Sequence, residues 1–206
     1  MSSTDDLLVL APDAQDLLFR TARTTNAFTD EPVTDAQMRA VYDLVRWGPS
    51  TANGQPLRIL LVRSPEARER LGAHMSEGNR AKTLAAPLVA VLAYDTDFHE
   101  NLPRMAPALP DAKSWFEGSP EADAARARTA HESAALQAGY FIVGLRAAGL
   151  SAGPMGGFDK AGVDAEFFPD GRFKSFVVVN IGRPAEKDPH YPRAPRLDYD
   201  EVVQTV

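Results

Sequence analysis

The 206-residue chain contains no cysteine. That absence excludes disulfides, thiolate metal sites, iron–sulfur clusters and a cysteine nucleophile. Chemistry on an aldehyde or acyl group must therefore run without a thiol adduct. Long apolar runs are missing as well. The most apolar stretch, residues 85–94, is too short to span a bilayer. The opening MSSTDDLLVL is acidic and lacks the basic start and long apolar run of an export signal. A cytoplasmic protein without a membrane partner is expected. Basic residues are outnumbered, 22 Lys+Arg against 28 Asp+Glu, which argues against a nucleic-acid partner. No G-x-G-x-x-G follows a strand pattern and no P-loop occurs. The four histidines, His74, His99, His131 and His190, are scattered. After His131-Glu132, Ala135 stands where a second ligand would fall, so no metal site is expected.

What remains is an ordinary globular composition, 44% hydrophobic, with no repeat of 20–50 residues. The length suits one domain over 1–206, with 1–12 as a flexible N-terminal extension. Helical spacing marks residues 13–23. A second helix opens at Thr34, whose spacing to Gln37 makes a capping box, and runs through Met38, Val41, Leu44 and Val45 to Gly48-Pro49. Further helices are predicted from Ser64-Pro65 to about Gly72, over 77–85, and from Asp159 to about Phe168. Strands are predicted over 58–63, 87–94 and 174–181. Residues 95–120, rich in Pro, Asp and Gly with aromatics between, read as a long functional or mobile loop with room for a helical turn. Ala122–Ala148 is the longest helical pattern, and its small apolar surface predicts packing on more than one side. Gly149 suits its C′ position. This is an α+β or α/β pattern in which strand direction stays open.

Gly149-Leu-Ser-Ala-Gly153 has the form of a serine-hydrolase elbow, but that motif needs a strand before the serine and a helix after it. Here a helix precedes it. Three other segments suit an anion or a cofactor. Arg20 to Asn26 sets guanidinium beside hydroxyl donors, a combination fitted to phosphate, or to a solvated helix end. Gly48 to Pro56 gathers small residues, hydroxyls and amides between a helix and a strand. Gly153-Pro-Met-Gly-Gly157 allows close backbone approach, or simply turns the chain.

Taken together, R-T-x-N-x-F (Arg23 to Phe28), W-G-P-S-T-A-N-G-Q-P (Trp47 to Pro56), G-N-R-A-K (Gly78 to Lys82), G-L-S-A-G-P-M-G-G-F (Gly149 to Phe158) and V-N-I-G (Val179 to Gly182) resemble the FMN-dependent nitroreductase family. Asp111 to Phe116, Gly153 to Asp159 and Pro195 to Leu197 look like its malonic semialdehyde reductase branch, linked to uracil breakdown and 3-hydroxypropionate formation. The resemblance implies an α+β fold: a mixed, mainly antiparallel sheet wrapped by helices. It also implies an intertwined homodimer with FMN at the subunit interface and the long helix packed there.

Residue roles follow from the same resemblance. Arg23 and Thr24 match the segment reaching the FMN phosphate or ring edge. Asn26 stands where many members carry Arg or Lys near the flavin. Pro49, Ser50, Thr51 and Asn53 match the loop lining the flavin. Asn79 and Lys82 match positions at its pyrimidine edge, where Lys82 faces the charge of reduced flavin. Pro154, Met155, Gly156 and Gly157 match the loop facing N5 and O4. Arg193 and Arg196 match a basic pair at the phosphate, spaced more widely than usual. No side chain need act as a nucleophile, since NADH or NADPH delivers hydride to the flavin, which passes it to a small acceptor. For a carbonyl acid, Arg104, Lys113 and Ser114 are candidate substrate residues, with Trp115 and Phe116 as an apolar lid or as core. A broad nitro or quinone reductase and a flavin-binding protein without turnover are the alternatives.

Overall fold

The fold is described from a computed structural model, over residues 7–187 and 189–206. The stretch 1–6 of the expected N-terminal extension lies outside the described residues.

The sheet is built on apolar strands that alternate in both directions. β2 (Leu88–Asp95) sends Leu88, Ala90 and Leu92 to one face and Val89, Val91 and Ala93 to the other, all of them buried. Such two-sided burial needs a helical layer on each face. On one face lie α2 (Asp35–Val45) and α6 (Pro120–Ala147), which bring Met38, Val41, Phe141 and Leu145. On the other lie α3 (Pro65–His74) and α7 (Lys160–Phe167), which bring Leu71 and Val163, with Phe168 just beyond.

β1 (Leu57–Val62), β2, β4 (Phe173–Gly182) and β3 (Ser151–Met155) form one antiparallel sheet in the order β1-β2-β4-β3. The family resemblance implied a mainly antiparallel sheet, and this is one. Three strands, the capping box of α2 and the helices α3, α4 (Glu77–Ala85) and α7 stand within a few residues of their predicted positions. Thr34 Oγ1 accepts from the Gln37 amide at 3.1 Å while Gln37 returns the bond to the Thr34 amide at 2.8 Å.

Four readings need correction. Ser151–Met155 is an edge strand, not a turn. Its Pro154 is tolerated because an edge strand has one unpaired side. The strand that follows the helix also removes the elbow geometry expected of a hydrolase at Ser151. Residues 13–23 divide into α1 (Pro12–Gln15) and one π turn, Asp16–Arg20. Residues 95–120 hold short helical pieces, Phe98–Asn101, α5 (Leu102–Met105) and Ala112–Phe116. They close over their own core of Phe98, Leu102, Ala112, Phe116 and Ala130. Finally, α6 is packed on one side within the chain. Ala130, Ala134, Phe141 and Leu145 face inward, while Leu136 and Tyr140 stand half-exposed. After β4 the described residues of the tail run irregularly to α8 (Tyr199–Val202).

A candidate cofactor cradle and a distant loop

The first group of expected residues gathers beside β3. The backbone of Thr25 donates to the Ala152 carbonyl at 3.0 Å, so the segment 23–26 lies along the free side of that edge strand. The approach is close: a Cβ on Gly153 would lie 2.3 Å from the Thr25 carbonyl oxygen. Only glycine fits there without moving the segment. The C-terminal tail is laced over it. Arg23 donates to the Tyr191 carbonyl at 2.8 Å, the Asn26 amide to the Pro189 carbonyl at 2.8 Å, and Arg193 to the Arg20 carbonyl at 2.6 Å.

Two neighbouring cavities open in this cradle. One, of about 430 Å³, is lined by Arg23, Thr24, Arg146, Pro154, Arg193 and Arg196 among others. The other, of about 370 Å³, is lined by Thr24, Asn26, Asn79, Lys82, Met155 and Asn180 among others. Both volumes fall in the ~300–1,000 Å³ range of small-molecule sites. The first is strongly electropositive. Burial depresses the pKa of His190, next in sequence to the lining residue Tyr191, and the charges of two lining residues, Arg23 and Arg146, depress it further. The field that disfavours imidazolium favours an anion. In the second cavity Lys82 Nζ donates to Asn26 Oδ1 at 3.3 Å, and Asn79 Nδ2 donates to the Gly157 carbonyl at 3.0 Å. Two buried polar atoms there, Asn26 Nδ2 and Asn180 Oδ1, have no partner. Native interiors rarely leave such groups bare, and a polar ligand would satisfy them. The donor set therefore fits a planar, hydrogen-bonding group joined to a phosphate, as FMN is.

Gly156 and Gly157 leave β3 at the cradle's rim. Sequence reasoning assigned no role to Arg146 or Asn180. Each is a polar residue inside an apolar run, and that break in pattern was the available signal. Arg146 donates to the Leu17 carbonyl at 3.0 Å and to Ser151 and Thr21 hydroxyls at 3.2 Å. It thus ties helix, strand and N-terminal segment into one wall.

The second group sits elsewhere. The loop Pro49 to Gln55 leads into the opposite edge strand, β1. It is held by Thr51 N donating to Ser133 Oγ at 3.1 Å and by Asn53 Nδ2 donating to the Met105 carbonyl at 2.7 Å. Ser50 Oγ accepts from the Gln55 amide at 3.1 Å. Three of its residues, Ala52, Asn53 and Gln55, have φ of 49°, 53° and 47° without being glycine. Each such residue costs of order 1–3 kcal/mol, and strain of this kind clusters at ligand sites.

The substrate candidates surround this loop. Phe116 is buried in the core with Phe98, so in this chain it is core and not lid, whereas Trp115 is half-exposed. Lys113 is engaged by Glu100 at 3.0 Å and Glu117 at 3.4 Å, the latter also beside His99. Ser114 Oγ donates to the Asp111 carbonyl. Arg104 has no partner among the described residues. It lines a cavity of about 530 Å³ with Arg46, Arg58, Gln55, Asn101, Gln137 and Tyr42 among others, and no carboxylate.

The two groups cannot meet within one chain. From β3 to β1 is three strand spacings, about 14 Å at ~4.8 Å each. Leu57 is level with Tyr94 and, through it, with Lys174, while Gly153 is level with Asn180. Six residues of strand add about 20 Å along the sheet. The helix gives the same answer: Ser133 touches the loop and Arg146 the cradle, thirteen residues apart on α6, about 20 Å.

An electropositive cradle at one sheet edge and a strained loop at the other have the lining that a planar anionic cofactor would need. The family follows from comparison with known proteins. The Nitroreductase family model matches residues 19–183, and the chain belongs to that family. It is accordingly an NAD(P)H-dependent flavin oxidoreductase, with FMN as the flavin and NADH or NADPH as reductant. A Streptomyces coelicolor protein named "Putative NADH dehydrogenase/NAD(P)H nitroreductase" is 61% identical over 200 residues, 97% of this chain and 99% of that one. A Streptomyces griseus protein of the same name is 58% identical over the same shares. The crystal structure of a "putative nitroreductase in complex with FMN" from Exiguobacterium sibiricum superimposes with a TM-score of 0.80. It is 20% identical and covers 95% of this chain and 98% of that chain, a likeness of fold. Among the described residues no helix is long and apolar enough to cross a membrane.

Proposed function

We propose that two copies of this chain, each a single domain, form a cytoplasmic homodimer that seats FMN between the cradle of one copy and the Pro49–Gln55 loop of the other. The observation that supports this most directly is the separation of the two groups on opposite sheet edges. A second copy related by two-fold symmetry supplies each cradle with a loop. Apolar side chains are available for the contact: Trp47 is 82% exposed, and Leu44 on α2 and Leu136 and Tyr140 on α6 are exposed as well.

In this reading Arg23 and Arg196 hold the phosphate, assisted by Arg193, which also pins the tail. Lys82, Asn26 and Asn79 meet the ring's polar edge, and Pro154 to Gly157 carry backbone to its reactive side. The partner's loop closes the other face and excludes water. When bound there, FMN would supply the hydride-relay chemistry between NADH or NADPH and the acceptor. The acceptor we favour is a small carbonyl acid, concretely malonic semialdehyde giving 3-hydroxypropionate. The unpartnered Arg104 in a cavity free of carboxylates supports an anionic substrate. The second reading is a broad nitro or quinone reductase, and the relatives' names, which print NAD(P)H nitroreductase, support its nitro-reducing part.

The purified protein is expected to be yellow, with about one FMN per chain, and to bleach on addition of NADH or NADPH. A colourless protein that cannot be loaded with FMN contradicts the reading. Loading without bleaching indicates a flavin binder without turnover. Comparable efficiency with malonic semialdehyde, nitroaromatics and quinones favours the broad reductase.

A further inference from the structure

Asn180 lies on β4, between the apolar residues Val177 to Val179 and Ile181. It is 1% exposed. Its Oδ1 has no hydrogen-bond partner, and its Nδ2 has only the Met155 sulfur at 4.0 Å. Whichever way the amide is set, a buried polar end stays unsatisfied. A bare buried group of this kind costs about 1–3 kcal/mol, and leucine would fill the space without that cost. The residue lines the cavity that also holds Lys82 and the unpartnered Asn26 Nδ2. That cavity thus presents one free acceptor and one free donor, both buried, beside a cation.

We infer that Asn180 reads the imide edge of the flavin ring, its Oδ1 accepting the ring N3–H while Asn26 Nδ2 donates to an adjacent ring carbonyl. Acceptor beside donor is the complement of an N–H flanked by C=O, and the cation suits the negative charge that reduction places on that part of the ring. A strand interior holds Asn180 in place, so the reading is rigid. The inference rests on the flavin reading above.

The test uses apo-protein titrated with FMN and with N3-methyl-FMN, followed by quenching of flavin fluorescence. Wild type is expected to prefer FMN about 3- to 10-fold, the range of one neutral hydrogen bond. Asn180→Leu is expected to lose that preference, while the apo-protein melts no lower than wild type. A variant that keeps the preference, or a wild type that shows none, overturns the inference. A wild type that binds neither flavin instead sinks the FMN reading itself. Asn180→Asp covers the case in which the leucine variant does not fold. It keeps an acceptor and adds charge, so the preference should persist and the flavin midpoint potential should fall. An unchanged potential overturns the inference.

Discussion

Gly153→Ala is expected to abolish the cradle while leaving the rest of the fold in place. The added Cβ would lie 2.3 Å from the Thr25 carbonyl oxygen, and both sides of that contact are backbone. Neither can rotate away. The segment is pinned by the Thr25 amide to Ala152 on one side and by the tail, through Arg23 and Asn26, on the other. Overpacking of this sort costs about 1–3 kcal/mol, and the strain falls on the residues that hold the cofactor. FMN affinity should drop about 10- to 100-fold, measured by fluorescence titration of the apo-protein. Circular dichroism should be unchanged. Wild-type affinity in this variant would mean that the cofactor does not use the 23–26 segment.

Asp95→Asn is expected to cost about 3 kcal/mol of stability at neutral pH, the low end for breaking a buried ion pair. Asp95 sits at the end of β2 with its side chain wholly buried. Arg58 lies at 2.5 Å, and Arg172 at 2.8 Å through Nε, both stacked near the Phe173 ring. Burial alone would raise the carboxyl pKa. The Arg172 hydrogen bonds, the Asp97 amide and the charges of Arg58 and Arg172 outweigh it and hold the pKa below the usual value. A carboxylate with a depressed folded pKa stabilises the protein above its unfolded pKa of about 3.9. That stability is lost as pH falls through the lower folded value. The gap between wild type and Asp95→Asn should therefore be widest near pH 7 and narrow below about pH 4. Urea melts at neutral and acid pH read it, and a gap independent of pH would contradict this account.

Local signals carried much of the fold. The Thr34–Gln37 box and the proline at 65 act through neighbouring backbone atoms, so the sequence displays them. β3 was hidden because glycine and proline spell a turn locally. It is a strand only because β4 pairs with it, from Met155 with Val178 to Ser151 with Gly182. The loop residues Ala52, Asn53 and Gln55 give no warning of positive φ, since their strain is imposed by contacts with Ser133, Phe98 and Met105. For the candidate site, the sequence supplied residues to propose but not their arrangement. Motifs at 23–26, 49–53 and 153–157 read as one ligand's contacts, yet strand order sends the middle one to the far edge. Phe116 and Trp115, adjacent in sequence, part company because a short helix turns one to core and one to solvent.

The shared site is tested most directly by pairing two broken chains. Thr51→Trp blocks the exposed loop, and Arg196→Glu sets a negative charge against the phosphate in the cradle. Each homodimer should bind FMN weakly. A heterodimer carrying one variant on each chain, co-expressed with different tags and purified through both, has one site with both lesions and one site with neither. The account predicts that this heterodimer recovers wild-type affinity at half the wild-type stoichiometry. A heterodimer as empty as its parents would show that cradle and loop serve the same chain, and would contradict it.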